Sequence, residues 1–163
     1  MSESTDLRPP IPADSAIEKL SYQAMSGNWF EYPIVVHPHH TDYGGVVWHG
    51  TYLAWMEEAR VACLKSIGID FADLVAMGCD LPVVEVSIRY HRALKMGESA
   101  TVKTRTIDME GVRIIWEYEI ESVDRSIVHL TGMVTLVAVD REKGKIMRQL
   151  PATVRDALVK MRE

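Results

Sequence analysis

A chain of 163 residues with an apolar share of 47% can build one domain around a full hydrophobic core and does not demand a second. Its formal net charge of −5 argues against nucleic acid or anionic lipid as a partner. No run reaches the roughly eighteen apolar residues of a membrane span, and the polar start Met1-Ser2-Glu3-Ser4-Thr5-Asp6 lacks the apolar stretch of a secretory signal, so a cytoplasmic location is expected.

Residues 1–30 read as an N-terminal extension and residues 31–163 as the domain. Pro9, Pro10 and Pro12 mark an extended or disordered lead, after which Asp14 or Ser15 can cap a short helix carrying Ile17, Leu20 and Ala24 before Gly27 ends it. A first strand is expected over Glu31 to Pro38, then a glycine-rich loop, then a helix from Thr51 to Ile67 stopped by Gly68. On the helical wheel Leu53, Met56, Arg60, Cys63, Leu64 and Ile67 share one side, with Glu58 and Lys65 opposite, so the buried stripe contains a charge. A second helix, Phe71 to Met77, ends near Gly78.

From Leu81 the period changes to two. Val84, Val86, Ile88 and Tyr90 alternate with polar residues, and after Lys95-Met96-Gly97-Glu98 a Thr- and Val-rich strand runs from Ser99 to Met109; the two read as a pair. Glu110-Gly111 turns the chain into the clearest alternation, with Val112, Ile114, Trp116, Tyr118 and Ile120 facing one way and Arg113, Glu117, Glu119 and Glu121 the other. The last strand, Ile127 to Val139, is apolar at both phases and suits a mid-sheet position with both faces covered. Asp140 to Lys145 forms a solvated turn and Pro151 to Met161 a closing helix. The order predicts an α+β fold, one long helix on a five-stranded, mainly antiparallel sheet, with a second copy of the chain burying the area one helix cannot cover.

The chemistry concentrates in His40-Thr41-Asp42-Tyr43-Gly44-Gly45-Val46-Val47-Trp48-His49-Gly50-Thr51. Here a carboxylate sits on a glycine-rich loop that feeds a helix start, where backbone N–H groups lie at the positive end of the macrodipole. An ionised Asp42 and the His49 and Gly50 amides converging on one carbonyl carbon would suit thioester cleavage, with Asp42 as nucleophile or as general base; sequence leaves both open. Glu57 and Arg60, three apart, can pair and orient the loop or the helix, and Glu57 is also a candidate catalytic residue. Tyr43, Val47, Trp48 and Tyr52 are candidates for substrate contact. Arg89, His91, Arg92 and Lys95 form the nearest basic cluster, with Lys103 and Arg105 on the next strand. No metal site is expected, because a strand would put His37 and His39 on one face and His40 on the other. Cys63 and Cys79 have no disulfide or C-x-x-C pattern and read as buried thiols. No Gly-x-Ser-x-Gly elbow, dinucleotide fingerprint or Walker motif is present.

The stretch Thr41 to His49, continued by Tyr52-Leu53 and Glu57-Glu58-Ala59-Arg60, resembles the hotdog-fold acyl-CoA thioesterases of the 4-hydroxybenzoyl-CoA thioesterase type, and the resemblance runs from about Tyr32 to Val139. It implies a cofactor-free hydrolase of acyl-CoA, with Asp42 as the catalytic carboxylate and the His49 main-chain N–H polarising the thioester carbonyl. It implies a homodimer or homotetramer whose sites are shared between chains; coenzyme A carries phosphates, for which Arg89 and Arg92 of the basic cluster are the candidate contacts. Two departures stand out: the extension is no part of the usual domain, and Tyr43 replaces the common Ala or Pro after the aspartate. Hydrolysis of acyl groups on an acyl carrier protein, and acyl binding without turnover, are the alternatives, and the acyl group is left open between aromatic and aliphatic.

Overall fold

The computed structural model describes residues 28–163 and, as backbone, the short strand Met25–Ser26; the expected leader helix at Ile17, Leu20 and Ala24 lies outside the described residues. In chain order the elements are β1 (Met25–Ser26), β2 (Trp29–Val35), a 3-10 turn (Pro38–His40), α1 (Thr51–Ser66), α2 (Phe71–Ala76), β3 (Cys79–Asp80) and β4 (Val83–Tyr90). There follow β5 (Ser99–Glu110), β6 (Arg113–Ser122), β7 (Val128–Val137), β8 (Val139–Asp140), β9 (Lys145–Ile146) and α3 (Ala152–Arg162). The main sheet is antiparallel in the order β1-β2-β5-β6-β7-β4, and β3, β8 and β9 form a small second sheet. The five long strands and the single long helix are those of the expected hotdog architecture; two-residue β1 adds a sixth strand at one edge.

The pairing of β4 with β5 is overturned. β4 pairs with β7, and β5 lies between β2 and β6. The segment 91–98 is not a hairpin turn but a crossover from one side of the sheet to the other. It spends its backbone groups on the loop before α1: Val47 N–H donates to the Leu94 carbonyl, Met96 N–H to Gly45 and Gly97 N–H to Val36. Cys79 lies in the two-residue strand β3, just before β4.

Alternation in β6 places Ile114, Trp116, Tyr118 and Ile120 in the core, each no more than 1% exposed. Against them α1 lays Tyr52, Trp55, Met56, Ala59, Arg60, Cys63 and Leu64. The wheel is corrected at Leu53, which is exposed while Tyr52 and Trp55 are buried, because the helix turns the stripe that starts at Tyr52 toward the sheet. Gly132 in β7 sits under this helix: a Cβ there would meet Ser87 O at 3.1 Å and Met56 Cε at 3.4 Å. The missing side chain is what admits α1 so close to the sheet. Gly68, at φ +85°, ends α1 in the left-handed conformation, and Ile69 N–H returns to the Leu64 carbonyl.

β7 is interior, as expected, and both faces of its C-terminal half are buried at Val134, Thr135, Leu136 and Val137. Exposed apolar area remains on β7 at Val128 and Met133 and is densest on β4, the sheet edge, where Val83, Val84, Val86 and Tyr90 are each 44–52% exposed.

The buried charge has a different partner from the one expected. Arg60 donates from Nη1 to the Tyr118 hydroxyl at 2.9 Å, and Glu57 is exposed and makes no ion pair among the described residues. Arg60 points into the sheet, toward the cross-strand row Phe30–Thr104–Tyr118–Gly132, and away from solvent where a glutamate would sit. Burial raises the Tyr118 pKa, which keeps the phenol neutral, with the Arg60 charge working against that shift.

Tyr118→Phe removes the acceptor and strands a buried guanidinium, and is expected to lower unfolding stability by about 1–3 kcal/mol. Adding Arg60→Met to it should recover part of that loss, since neither member then carries an unmet polar group. Urea unfolding of the single and double variants checks both outcomes, and a double variant no more stable than Tyr118→Phe would contradict this account of the pair.

Candidate active site

The loop before α1 is closed at its base and pinched in its middle. The His40 carbonyl accepts from Trp48 N–H and from the Thr51 hydroxyl, both at 3.0 Å. Thr41 and Val47 form an antiparallel bridge, and Asp42 N–H donates to the Val46 carbonyl at 2.9 Å. The two glycines have separate reasons. Gly44 N–H donates to Asp42 Oδ1 at 2.8 Å, and a Cβ on Gly44 would come to 3.1 Å from that oxygen. Gly45 has φ +76°, a conformation that L side chains rarely adopt. One carboxylate oxygen of Asp42 is thus held by its own loop, and Oδ2 has no hydrogen bond among the described residues.

At the start of α1 the His49 and Gly50 N–H groups have no acceptor among the described residues. Trp48 O accepts from Thr51 N–H at 2.9 Å, and His49 O accepts from the Tyr90 hydroxyl at 2.8 Å. The Trp48 indole packs across the Gly50 backbone: a Cβ there would lie 2.1 Å from it, so a side chain at this position would displace the ring. Two unpaired donors at the N-terminus of a sixteen-residue helix are suited to an oxyanion or a polarised carbonyl.

Three cavities divide the remaining candidates. One of about 260 Å³ is walled by Val47, His49, Tyr52, Tyr90, His91 and Arg92, with Ala93; this is the cavity that takes in His49. The largest, about 760 Å³, lies between β2 and the flank of α1 and takes in Glu57 and Glu58, Phe30 and Tyr32. It includes neither Asp42 nor His49, so its size does not make it the reaction site, and Glu57 is not brought to the amides. The third, about 440 Å³, lies against the sheet and takes in Trp29, Ser87, Arg89 and Met133. Arg89 and Arg92 therefore open on different cavities.

Asp42 and Tyr43 are exposed and line none of these cavities in the single chain, and Trp48 is half exposed. Tyr52 is a core residue: its ring meets Trp55 and Tyr90 edge-on and its hydroxyl accepts from Leu94 N–H at 3.2 Å. Burial lifts its pKa above the ordinary phenol range.

Lys103 and Arg105 are drawn out of the basic cluster by their neighbours. Lys103 pairs with Glu119 at 2.8 Å and Glu121 at 3.4 Å, and Arg105 with Glu117 at 2.7 Å. Burial works against the Lys103 ammonium, but these carboxylates outweigh it and raise its pKa. Trp29 stacks over both cations, at 5.0 Å and 4.1 Å. Arg89 and Arg92 form no ion pair among the described residues.

The histidines overturn the strand reading at this point. β2 ends at Val35 and Pro38–His40 forms a 3-10 turn, because Pro38 at its first position supplies no ladder donor and fits a helical start. The turn gathers all three rings, with centroids 4.0–5.8 Å apart. His40 Nδ1 accepts from His37 N–H at 3.0 Å. Burial, then the His39 and His37 charges, lowers the His40 pKa, so this ring stays a neutral acceptor at pH 7. Among the described residues no group of three or more His, Cys, Asp or Glu side chains is arranged to hold a metal ion.

Tyr90 is the site residue that sequence reasoning passed over. Its place in an alternating strand signalled packing, and no local spacing links it to a carbonyl forty-one residues earlier.

The sequence profile of the Thioesterase superfamily matches residues 44–129. The Synechocystis protein sll0410 is 50% identical over 157 residues, 95% of each chain. The Escherichia coli O6:H1 acyl-CoA thioester hydrolase YbgC is 26% identical over 130 residues, 80% of this chain and 96% of its own. Among solved structures, the Synechocystis 1,4-dihydroxy-2-naphthoyl-CoA thioesterase Slr0204 superposes with a TM-score of 0.75 at 23% identity, over 80% of this chain and 96% of that one. No helix among the described residues is long and apolar enough to cross a membrane.

Both cysteines are buried and free. Burial pushes the Cys63 thiol up to about 12 and raises Cys79 as well, Asp80 adding to the second shift. Neither should react within minutes with an aromatic disulfide reagent at pH 8 in the native protein, and both should react once it is unfolded. Rapid native labelling of Cys63 would contradict the burial found here.

Proposed function

The chain belongs to the Thioesterase superfamily, and on that footing we propose that it hydrolyses an acyl-CoA thioester to the free acid and coenzyme A. The observation that carries this reading is the pair of unpaired His49 and Gly50 amides at the start of α1, on the far arm of the loop that holds Asp42. The thioester carbonyl oxygen is placed on the amides, which meet the negative charge of the tetrahedral intermediate without reorganising. The free oxygen of Asp42 attacks the carbonyl carbon to give, on loss of the thiolate, a mixed anhydride that water then cleaves to the free acid and the restored carboxylate, or it takes a proton from the attacking water. The thiolate of coenzyme A leaves with little need for protonation, an ordinary thiol such as that of cysteine having a pKa of about 8.5.

A second copy of the chain completes the site in this reading. β4 is a sheet edge with exposed valines, a surface that proteins cover or charge to avoid uncontrolled pairing. Its last residue, Tyr90, touches the His49 carbonyl, so a partner seated along β4 lies next to the amides and supplies the wall that Asp42 lacks in one chain. Arg92, on the cavity beside His49, is assigned to a coenzyme A phosphate. Arg89, on a separate cavity, would reach the same ligand only across such an interface.

Residues 1–30 are taken as an extension to the catalytic domain, apart from Met25–Ser26 and Trp29–Phe30, which already pair in the main sheet. The YbgC match, 80% of this chain but 96% of that protein, supports that boundary, and the sll0410 match over 95% of each chain indicates that the extension is shared with that relative. The exposed Tyr43 is assigned to acyl selection.

Hydrolysis of a panel of benzoyl-, 4-hydroxybenzoyl- and hexanoyl-CoA, followed by thiol release, tests the chemistry. Asp42→Asn should fall by at least about a hundredfold in kcat with the fold intact, whereas wild-type turnover in this variant would rule out the assigned role. Val86→Lys, which places a charge in the middle of the β4 edge, should shift the protein to monomers in sedimentation velocity and lower activity with it. A fully active monomer would remove the shared site.

A further inference from the structure

We propose that Tyr90 is a positioning residue that fixes the direction of the Gly50 amide, so that the two N–H groups at the start of α1 are aimed by two separate anchors. This inference rests on the thioesterase reading of the site. A trans peptide unit is planar, with its C=O and N–H pointing in opposite directions, so holding the oxygen fixes where the hydrogen points. The peptide between Trp48 and His49 is held through the Trp48 carbonyl, which accepts from Thr51 N–H at 2.9 Å. That bond is the helix's own first turn. The next peptide, between His49 and Gly50, has no backbone donor on its carbonyl among the described residues; the Tyr90 hydroxyl fills that place at 2.8 Å.

Without an anchor this unit would be the loosest in the segment. Gly50 precedes the first residue of α1 and offers no side-chain cap, and a glycine opposes rotation of its flanking peptides less than any other residue. The Trp48 indole lies across the Gly50 backbone, so a Cβ could limit this freedom only by displacing the ring. A donor from outside the helix is the remaining way to fix the plane.

Tyr90 is itself held for the task. It closes β4, where it registers with Leu130 of β7, and its ring meets Tyr52 edge-on at 5.4 Å. Tyr52 is buried and anchored through its hydroxyl to Leu94 N–H. The line from the 91–98 crossover through Tyr52 and Tyr90 to His49 O thus connects the sheet to the amide donors through packed rings and two hydrogen bonds. A phenylalanine would keep the packing and lose only the donor.

Tyr90→Phe should lower kcat about three- to tenfold, the rate equivalent of one net hydrogen bond. KM should stay within about twofold and the melting temperature should be unchanged. A spectroscopic signature separates aiming from general softening. In an Asp42→Asn background, where turnover is stalled, the fastest acyl-CoA of the panel above, labelled with carbon-13 at the carbonyl, is bound and its C=O stretch recorded by infrared difference spectroscopy. The band should lie below that of the same acyl-CoA free in buffer, and adding Tyr90→Phe should return it part of the way. An unchanged kcat in Tyr90→Phe overturns the proposal, as does a reduced kcat with the band left where Asp42→Asn alone puts it. If Asp42→Asn turns over like the wild type, the thioesterase reading has failed and the proposal goes with it; if Asp42→Asn is inactive and Tyr90→Phe is not, only the positioning role is lost.

Discussion

A helix can offer its first amide donors to a ligand only if the peptide units that carry them are held from their carbonyl side. In this chain that constraint is met by two bonds of different origin, Thr51 N–H to Trp48 O within the helix and the Tyr90 hydroxyl to His49 O from the sheet edge. The rest of the local structure follows from keeping both in place. The loop closes on the His40 carbonyl, the crossover 91–98 braces the loop from beneath, and Gly50 stays bare so that Trp48 can pack across it. The macrodipole adds a favourable field at this end of α1, but direction comes from the anchors.

Much of the fold was legible because its signals are local and periodic. The period-two run in β6 and the glycine stop after α1 translate directly into burial and backbone angle. Pairing was not legible in the same way. Lys95-Met96-Gly97-Glu98 has the composition of a hairpin turn, and nothing in it records that its N–H groups belong to Gly45 and Val36. Strand order depends on which surfaces meet, and alternation along one strand is silent about its neighbours.

The site divides in the same manner. Asp42, the two glycines and the helix start were legible because turn chemistry and helix-end physics act over a few residues. Arg60 was assigned to Glu57 by helical spacing, yet its hydrogen bond goes to Tyr118, fifty-eight residues away, because a buried guanidinium is satisfied by whatever the opposite layer presents. Arg89 and Arg92 are three apart in sequence and open on different cavities, since one belongs to the strand and the other to the crossover that leaves it.

Gly132 has a reach beyond packing. It sets the clearance between the sheet and Met56, and Met56 stands less than two turns from the amides on the same stiff helix, about 7.5 Å along its axis from Thr51. The clearance acts as a spacer beneath a lever: material added at the middle of the sheet would lift the rod and carry its tip with it. A side chain at this interior glycine would therefore be felt at the start of α1 as well as in the packing beneath it.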